Sequence, residues 1–295
     1  MVHYSSRMST EAEQRVSRWL DNGRNSILDL SRLQLCELPT NFPDDFNGSL
    51  QCEHNELTVL ILPFAEAVDC DYNQLVILEC PLSTYVTCSH NKLKTLNLFS
   101  AQWVICDNNE LEHLVAPKAR GIYCEHNKLT TLSLPNAISV DCFNNQLIFL
   151  SVPKAQCLRC CDNKLTILNC HDAITVNCSN NLLQVLHTNA LTVDCSNNQL
   201  KSLTLPYAYN VNCFDNQLTS LDLPKVINGN CSYNPIEFRL GTLLQTERQV
   251  CFRLSVVNAY VCAYKWLKVV QRSRNKTLVH SKTVIFQEAI LNNAS

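Results

Sequence analysis

Apolar residues along most of this chain follow one template. In VDCSNNQLKSLTLP, Val193 to Pro206, Val193 and Cys195 alternate with Asp194 and Ser196, and Leu200, Leu203 and Leu205 then set a second rhythm. Asn55, Asn73, Asn91, Asn109, Asn127, Asn145, Asn163 and Asn181 stand 18 residues apart. A 17-residue step leads to Asn198, and 18-residue steps lead on to Asn216 and Asn234. Each of these eleven asparagines has a cysteine three residues before it, and ten have Leu two residues after it, Ile236 being the exception. A fixed period of this kind predicts a stack of identical supersecondary units, none of which buries its apolar face alone.

The local chemistry predicts the shape of each unit. The V-x-C alternation has the period of a strand, so Val and Cys point inward and the residues between them point outward. Stacked units then form a parallel sheet with strands roughly 4.8 Å apart. The asparagine after each strand is placed to hydrogen-bond backbone groups of the turn, which would otherwise be buried unpaired. The remaining L-x-x-L-x-L-P-x is too short for a helix and is expected to run extended, with proline in a segment that needs no ladder. The expected fold is therefore a leucine-rich solenoid with a parallel sheet on one face, extended segments on the other, and a helical cap at each end. Its divisions are an N-terminal cap over 1–27, the solenoid over 28–236 with an irregular first rung, and a C-terminal cap over 237–295. In the first of these, TEAEQRVSRWLDNG reads as a helix with Thr10 and Glu13 as a capping box and Asn22-Gly23 as the stop.

Composition narrows the function. The chain is 46% hydrophobic and 17% charged, which suits a folded protein. Its five glycines form no phosphate-binding loop, no Ser/His/Asp or His-Glu-x-x-His pattern occurs, and no catalytic residue or cofactor is expected. From Glu237 onward nine Lys/Arg face three Asp/Glu, a charge of +6; the overall −2 leaves −8 on residues 1–236. The nine basic positions are scattered among apolar ones, which predicts a solvated face rather than a nucleic-acid site. No apolar run approaches a membrane span, and MVHYSSRMSTEAEQRV lacks the apolar core of a secretory signal, so a soluble protein is expected; before it binds a partner it is expected to be a monomer.

The unit A-x-x-V-x-C-x-x-N-x-L-x-x-L-x-L-P-x resembles the leucine-rich repeat, with Ala, Val and Cys in its first three apolar slots. The resemblance covers residues 28 to about 236. The helix-plus-rung beginning, TEAEQRVSRWLDNG followed by LDLSRLQLCELP, resembles the N-terminal cap of the bacterial SspH/IpaH/YopM effector repeats, and the cysteine-rich 18-residue unit is similar to leucine-rich-repeat effectors of Legionella. The resemblance implies a non-catalytic module translocated from a bacterium into a host cytosol, where it binds one protein target and modulates or inhibits it, for example by plugging the active-site cleft of another effector or of a host enzyme. The alternative it implies is an adaptor, or a degenerate relative of the ubiquitin-ligase effectors that recruits a host protein. Those ligases carry a large helical domain with a Cys-x-Asp motif. Here only about 60 residues follow the repeats, their cysteines read CFR and CAY, and the single Cys160-Cys161-Asp162 lies inside a rung.

Eighteen cysteines invite three readings. A metal site would draw on Cys157, Cys160 and Cys161, but Cys160 belongs to the inward ladder and a second C-x-x-C pair is missing. Disulfides between rungs would join parallel side chains, which suits the bond's dihedral poorly, and so many cysteines without a secretory signal point to a reducing cytoplasm. The third reading is volume: thiols as small apolar groups filling a slot too narrow for leucine. The sequence favours volume, and no metal ligand is assigned. His54, His90 and His126 recur two rungs apart and are expected on the rim.

Recognition in a solenoid falls to the variable outward positions, here six, four and two residues before each asparagine. In the earlier rungs these hold Asp69, Asp71, Tyr85, Trp103, Ile105, Asp107, Tyr123, Glu125, Asp141, Phe143 and Arg159. A solvent-facing tryptophan and isoleucine among tyrosines and acids are expected to bind a partner with a basic surface.

Overall fold

The computed structural model describes residues 2–235, with nothing said of the side chains of residues 2–9; the C-terminal cap expected over 237–295 lies outside the described residues. Within that span twelve strands form one parallel sheet. It runs from Leu28–Asp29 and Ser49–Gln51 through Trp103–Ile105 and Gly121–Tyr123 to Asn210–Asn212 and Asn228–Asn230, every strand pairing with the next rung. The fold is a leucine-rich-repeat solenoid of about eleven turns, as the period predicts.

The strands are in register, Tyr85 opposite Trp103 opposite Gly121 opposite Ser139, so equivalent residues line up in columns. Inward columns are closed: Val86, Val104, Ile122 and the cysteines three residues before each asparagine from Cys52 to Cys195 are 0% exposed. Leu57, Leu75, Leu93, Leu111 and Leu129 complete the core from the next column at 0%. A leucine buried this well contributes about 2 kcal/mol over an exposed one, and each rung supplies two or three of them.

The asparagines act between rungs as well as within them. From Asn73 to Asn234, Oδ1 accepts the backbone N–H of the preceding rung's Leu, as Leu57 to Asn73 at 3.0 Å and Leu111 to Asn127 at 2.9 Å. Nδ2 donates to the carbonyl oxygens of the preceding rung's cysteine and its own, from Asn127 to Cys106 at 3.0 Å and to Cys124 at 3.1 Å. The residue just before each asparagine is left-handed in all eleven rungs, from His54 at φ 56° to Tyr233 at φ 57°. Nine of the eleven are His, Asn or Asp, the side-chain-bearing residues most often found in this region; the preference does not account for Tyr72 and Tyr233. The recurring histidines of the rim therefore mark a backbone requirement. His54, Tyr72 and His90 stack there, with ring centroids 4.6 and 4.3 Å apart.

The opposite wall is extended, as expected, but it also ladders. Short parallel strands pair in twos, Val59–Ile61 with Ile77–Glu79 and Phe149–Ser151 with Ile167–Asn169, and prolines follow the strands instead of occupying them. The 17-residue unit between Asn181 and Asn198 has no strand on this wall.

At the N-terminus the helix spans Val2–Asp21, so Thr10 lies within it and is not its cap; the capping-box expectation is corrected. The stop is as read. Gly23, at φ 69°, donates to Leu20 O at 2.9 Å, and Arg24 N donates to Trp19 O at 3.1 Å, the paired bonds of a Schellman ending. Ala12, Val16 and Trp19 of this helix are buried against the first rung, where Trp19 meets Phe46 at 5.2 Å. Asn55 supplies the asparagine that the first rung lacks: its Oδ1 accepts from both Leu33 N and Leu35 N at 3.0 Å.

Candidate functional site

The outward columns of the twelve-stranded sheet bring the predicted residues together on consecutive strands. Asp69, Tyr85, Trp103, Phe143 and Arg159 are half-buried there. Asp71, Asp107, Glu125 and Asp141 are buried, at 8%, 3%, 4% and 5% exposure. Ile105, at 1%, and Tyr123, at 8%, are also buried, which corrects the expectation of a solvent-facing isoleucine. In-register pairing sets Ile105 between Thr87 and Tyr123 at one strand spacing, so it is flanked on both sides, by the large Tyr123 on one of them.

The acids are tied to one another by small hydroxyl residues that the sequence reading passed over. Thr87 Oγ1 donates to Asp69 Oδ1 at 2.7 Å, Ser89 N donates to Asp71 Oδ1 at 2.6 Å, and Ser89 Oγ donates to Asp107 Oδ1. Tyr123 Oη lies 3.2 Å from Ser139 Oγ. Burial pushes the Tyr123 phenol up to about 12. Asp141 and Arg159 form an ion pair at 2.9 Å with side chains 7% and 15% exposed. Burial outweighs this cation and pushes Asp141 up to about 6. Arg159 also lies 4.7 Å over the Phe143 ring, whose edge meets His126 at 4.9 Å.

The cysteines take the volume role. Ladder thiols from Cys52 to Cys195 are fully enclosed, and burial raises them well above their usual range, so they carry no thiolate at neutral pH. Cys157 is half-buried beside Arg159, whereas Cys161 is 7% exposed and pushed up by burial to about 12. Among the described residues no helix is long and apolar enough to cross a membrane.

Gly121 is a feature that sequence reasoning missed. It occupies an outward position opposite Trp103, and a Cβ built on it would lie 2.0 Å from the indole Cε3 and Cζ3. The signal was available: Gly121 is the only glycine at an outward position of the described sheet strands.

No protein-family model matches the chain, and no curated protein matches it. Solved structures do. YopM, a leucine-rich effector protein from Yersinia pestis, is similar at TM-score 0.56 and 24% identity over 77% of each chain. The leucine-rich repeat domain of APL1B is similar at TM-score 0.50 and 18% identity, over 80% of this chain and 91% of that one. The functional domain of InlJ from Listeria monocytogenes, which includes a cysteine ladder, aligns at TM-score 0.47 and 20% identity over 72% of this chain and 64% of that one. At these identities the likeness to YopM and APL1B concerns the fold, and that fold is the leucine-rich-repeat solenoid.

Proposed function

We propose that this protein is a non-catalytic interaction module, a secreted bacterial effector that binds one protein target and modulates or inhibits it through the outward face of its sheet. The observation that supports this is the division of labour among columns. Inward columns repeat the same residues in rung after rung, whereas the outward columns of the strands from Ala67–Asp69 to Cys157–Arg159 concentrate aromatics and carboxylates. A solenoid needs the first for stability and is free to vary the second for recognition. The acidic character favours a partner with a basic surface. YopM, with a comparable fold, is itself named an effector.

The test uses the recombinant full chain as bait, alongside Trp103→Ala on the sheet and Ile167→Thr on the opposite wall. Trp103→Ala is expected to weaken capture of the partner by about 2 kcal/mol or more while the chain stays folded, and Ile167→Thr to leave capture intact. The captured partner is then assayed for its own activity with and without the bait. Capture lost on the opposite wall but not on the sheet would misplace the site; unchanged partner activity would remove the inhibitory role.

A further inference from the structure

The glycine at position 121 needs a reason. Its φ lies outside the left-handed region, since Gly23 is the only glycine with positive φ among the described residues. Any residue could therefore adopt its backbone, and what calls for glycine is space. That space is filled by the neighbouring strand's tryptophan: Cε3 and Cζ3 of Trp103 stand where a residue-121 side chain would begin. The indole thus reaches across one strand spacing and rests on bare backbone, held in register by the pairing of Gly121 with Trp103. A tryptophan seated in this way is half-buried and has less rotamer freedom to lose on binding than an exposed one.

The surroundings specify what such a ring would receive. The acids on its own and the adjoining strands are Asp107 and Glu125; Asp69, Asp71 and Asp141 stand two strands away, about 9–10 Å, and the one cation of these outward columns, Arg159, stands three strands away and is held by Asp141. An aromatic face in a field of net negative charge attracts a cation twice, through the ring quadrupole and through the carboxylates. We propose that Gly121 is the positioning residue that seats Trp103, and that the seated indole receives an arginine or lysine side chain of the protein partner. The second half rests on the sheet face being the partner surface; the seat itself does not.

The experiment uses the full chain labelled with 15N at tryptophan, whose three indole N–H resonances are assigned with Trp103→Phe. Gly121→Ala is expected to move the Trp103 resonance and lower Tm. In a Trp103→Ala background the same substitution should leave Tm unchanged, because the clash has gone. If Gly121→Ala unfolds the chain and the double variant folds, the seat is supported; if the double variant also fails to fold, glycine is needed for another reason and the seat is overturned. An unmoved Trp103 resonance in folded Gly121→Ala overturns it as well. For the cation, a hexa-arginine peptide is expected to shift the Trp103 resonance, with binding about tenfold weaker to Gly121→Ala, while a hexa-glutamine peptide leaves it in place. Equal binding to both proteins, or an equal shift by hexa-glutamine, overturns the cation receptor. Either result leaves the capture experiment on the partner free to succeed or fail independently.

Discussion

The two walls of the solenoid start from the same instruction and end differently. Apart from the two end strands of the sheet, both are built from three-residue parallel strands with an apolar residue in the middle, yet one is a continuous sheet of twelve strands and the other falls into pairs. What separates them is the turn that follows. After every strand of the continuous wall but the first, a left-handed residue and an asparagine fix the chain, and the asparagine bonds two rungs at once. The opposite wall has no such device. Its inward slot accepts Leu62, Cys80, Ala116 or Thr188, and its outward residues stay exposed, Ile61 at 53% and Ile167 at 59%. Continuity of a sheet, in this molecule, is a property of its turns more than of its strands.

The comparison can be broken most forcibly at an asparagine. Asn127→Ala would leave Leu111 N–H buried without its acceptor and weaken the holds on Cys106 O and Cys124 O, at a cost of about 3–5 kcal/mol read by urea denaturation. Asn127→Asp should not rescue it, because its second oxygen would face those carbonyl oxygens. A cost near zero would show that the turn holds itself.

Next in size is the ion pair on the sheet's outward face. Arg159→Ala leaves the Asp141 carboxylate buried without its cation and is expected to cost about 3 kcal/mol at pH 7. Asp141 also gives a pH signature. Its folded value of about 6 lies above the ordinary 3.8, so the folded state holds the proton more tightly than the unfolded one. This group's contribution to stability is therefore full below about pH 4 and is lost as pH rises through about 6. Comparing Asp141→Asn with the parent across that window should show the slope removed.

The left-handed column gives a smaller effect. Asn108, at φ 55°, replaced by valine should cost about 1–2 kcal/mol, whereas glycine there should cost little or stabilise. Equal costs for both would point to the Asn108 side chain, which donates to Asp107 Oδ2 at 2.7 Å, as the important group. Smallest of all, Ile167→Thr on the opposite wall should change stability by less than about 0.5 kcal/mol in thermal melts, since its side chain is already mostly in water.

Most of the fold was legible because a repeat multiplies its own signal. One V-x-C-x-x-N-x-L is weak, and eleven in register leave little choice of strand, turn or core. The N-terminal helix was legible in type but not in its start, because Thr10 and Glu13 suit a helix interior as well as a cap. The candidate site was legible only as a set of columns. Spacing places Ile105 and Trp103 on the same outward face, but it cannot say that one is enclosed between Thr87 and Tyr123 while the other lies across Gly121. Those outcomes depend on side-chain volumes on adjoining strands, eighteen residues away in sequence.

By itself, then, the sequence determined the period, the parallel register, the inward ladders of cysteine and leucine, and the asparagine at each turn, because each of these is set by local alternation repeated at a fixed interval. Only the tertiary structure decided that each asparagine bonds the rung before it as well as its own, that the second wall ladders in pairs, and that Gly121 makes room for Trp103. Hydrogen-bond partners and available space are properties of neighbouring rungs, which the linear chain brings together only once it is stacked.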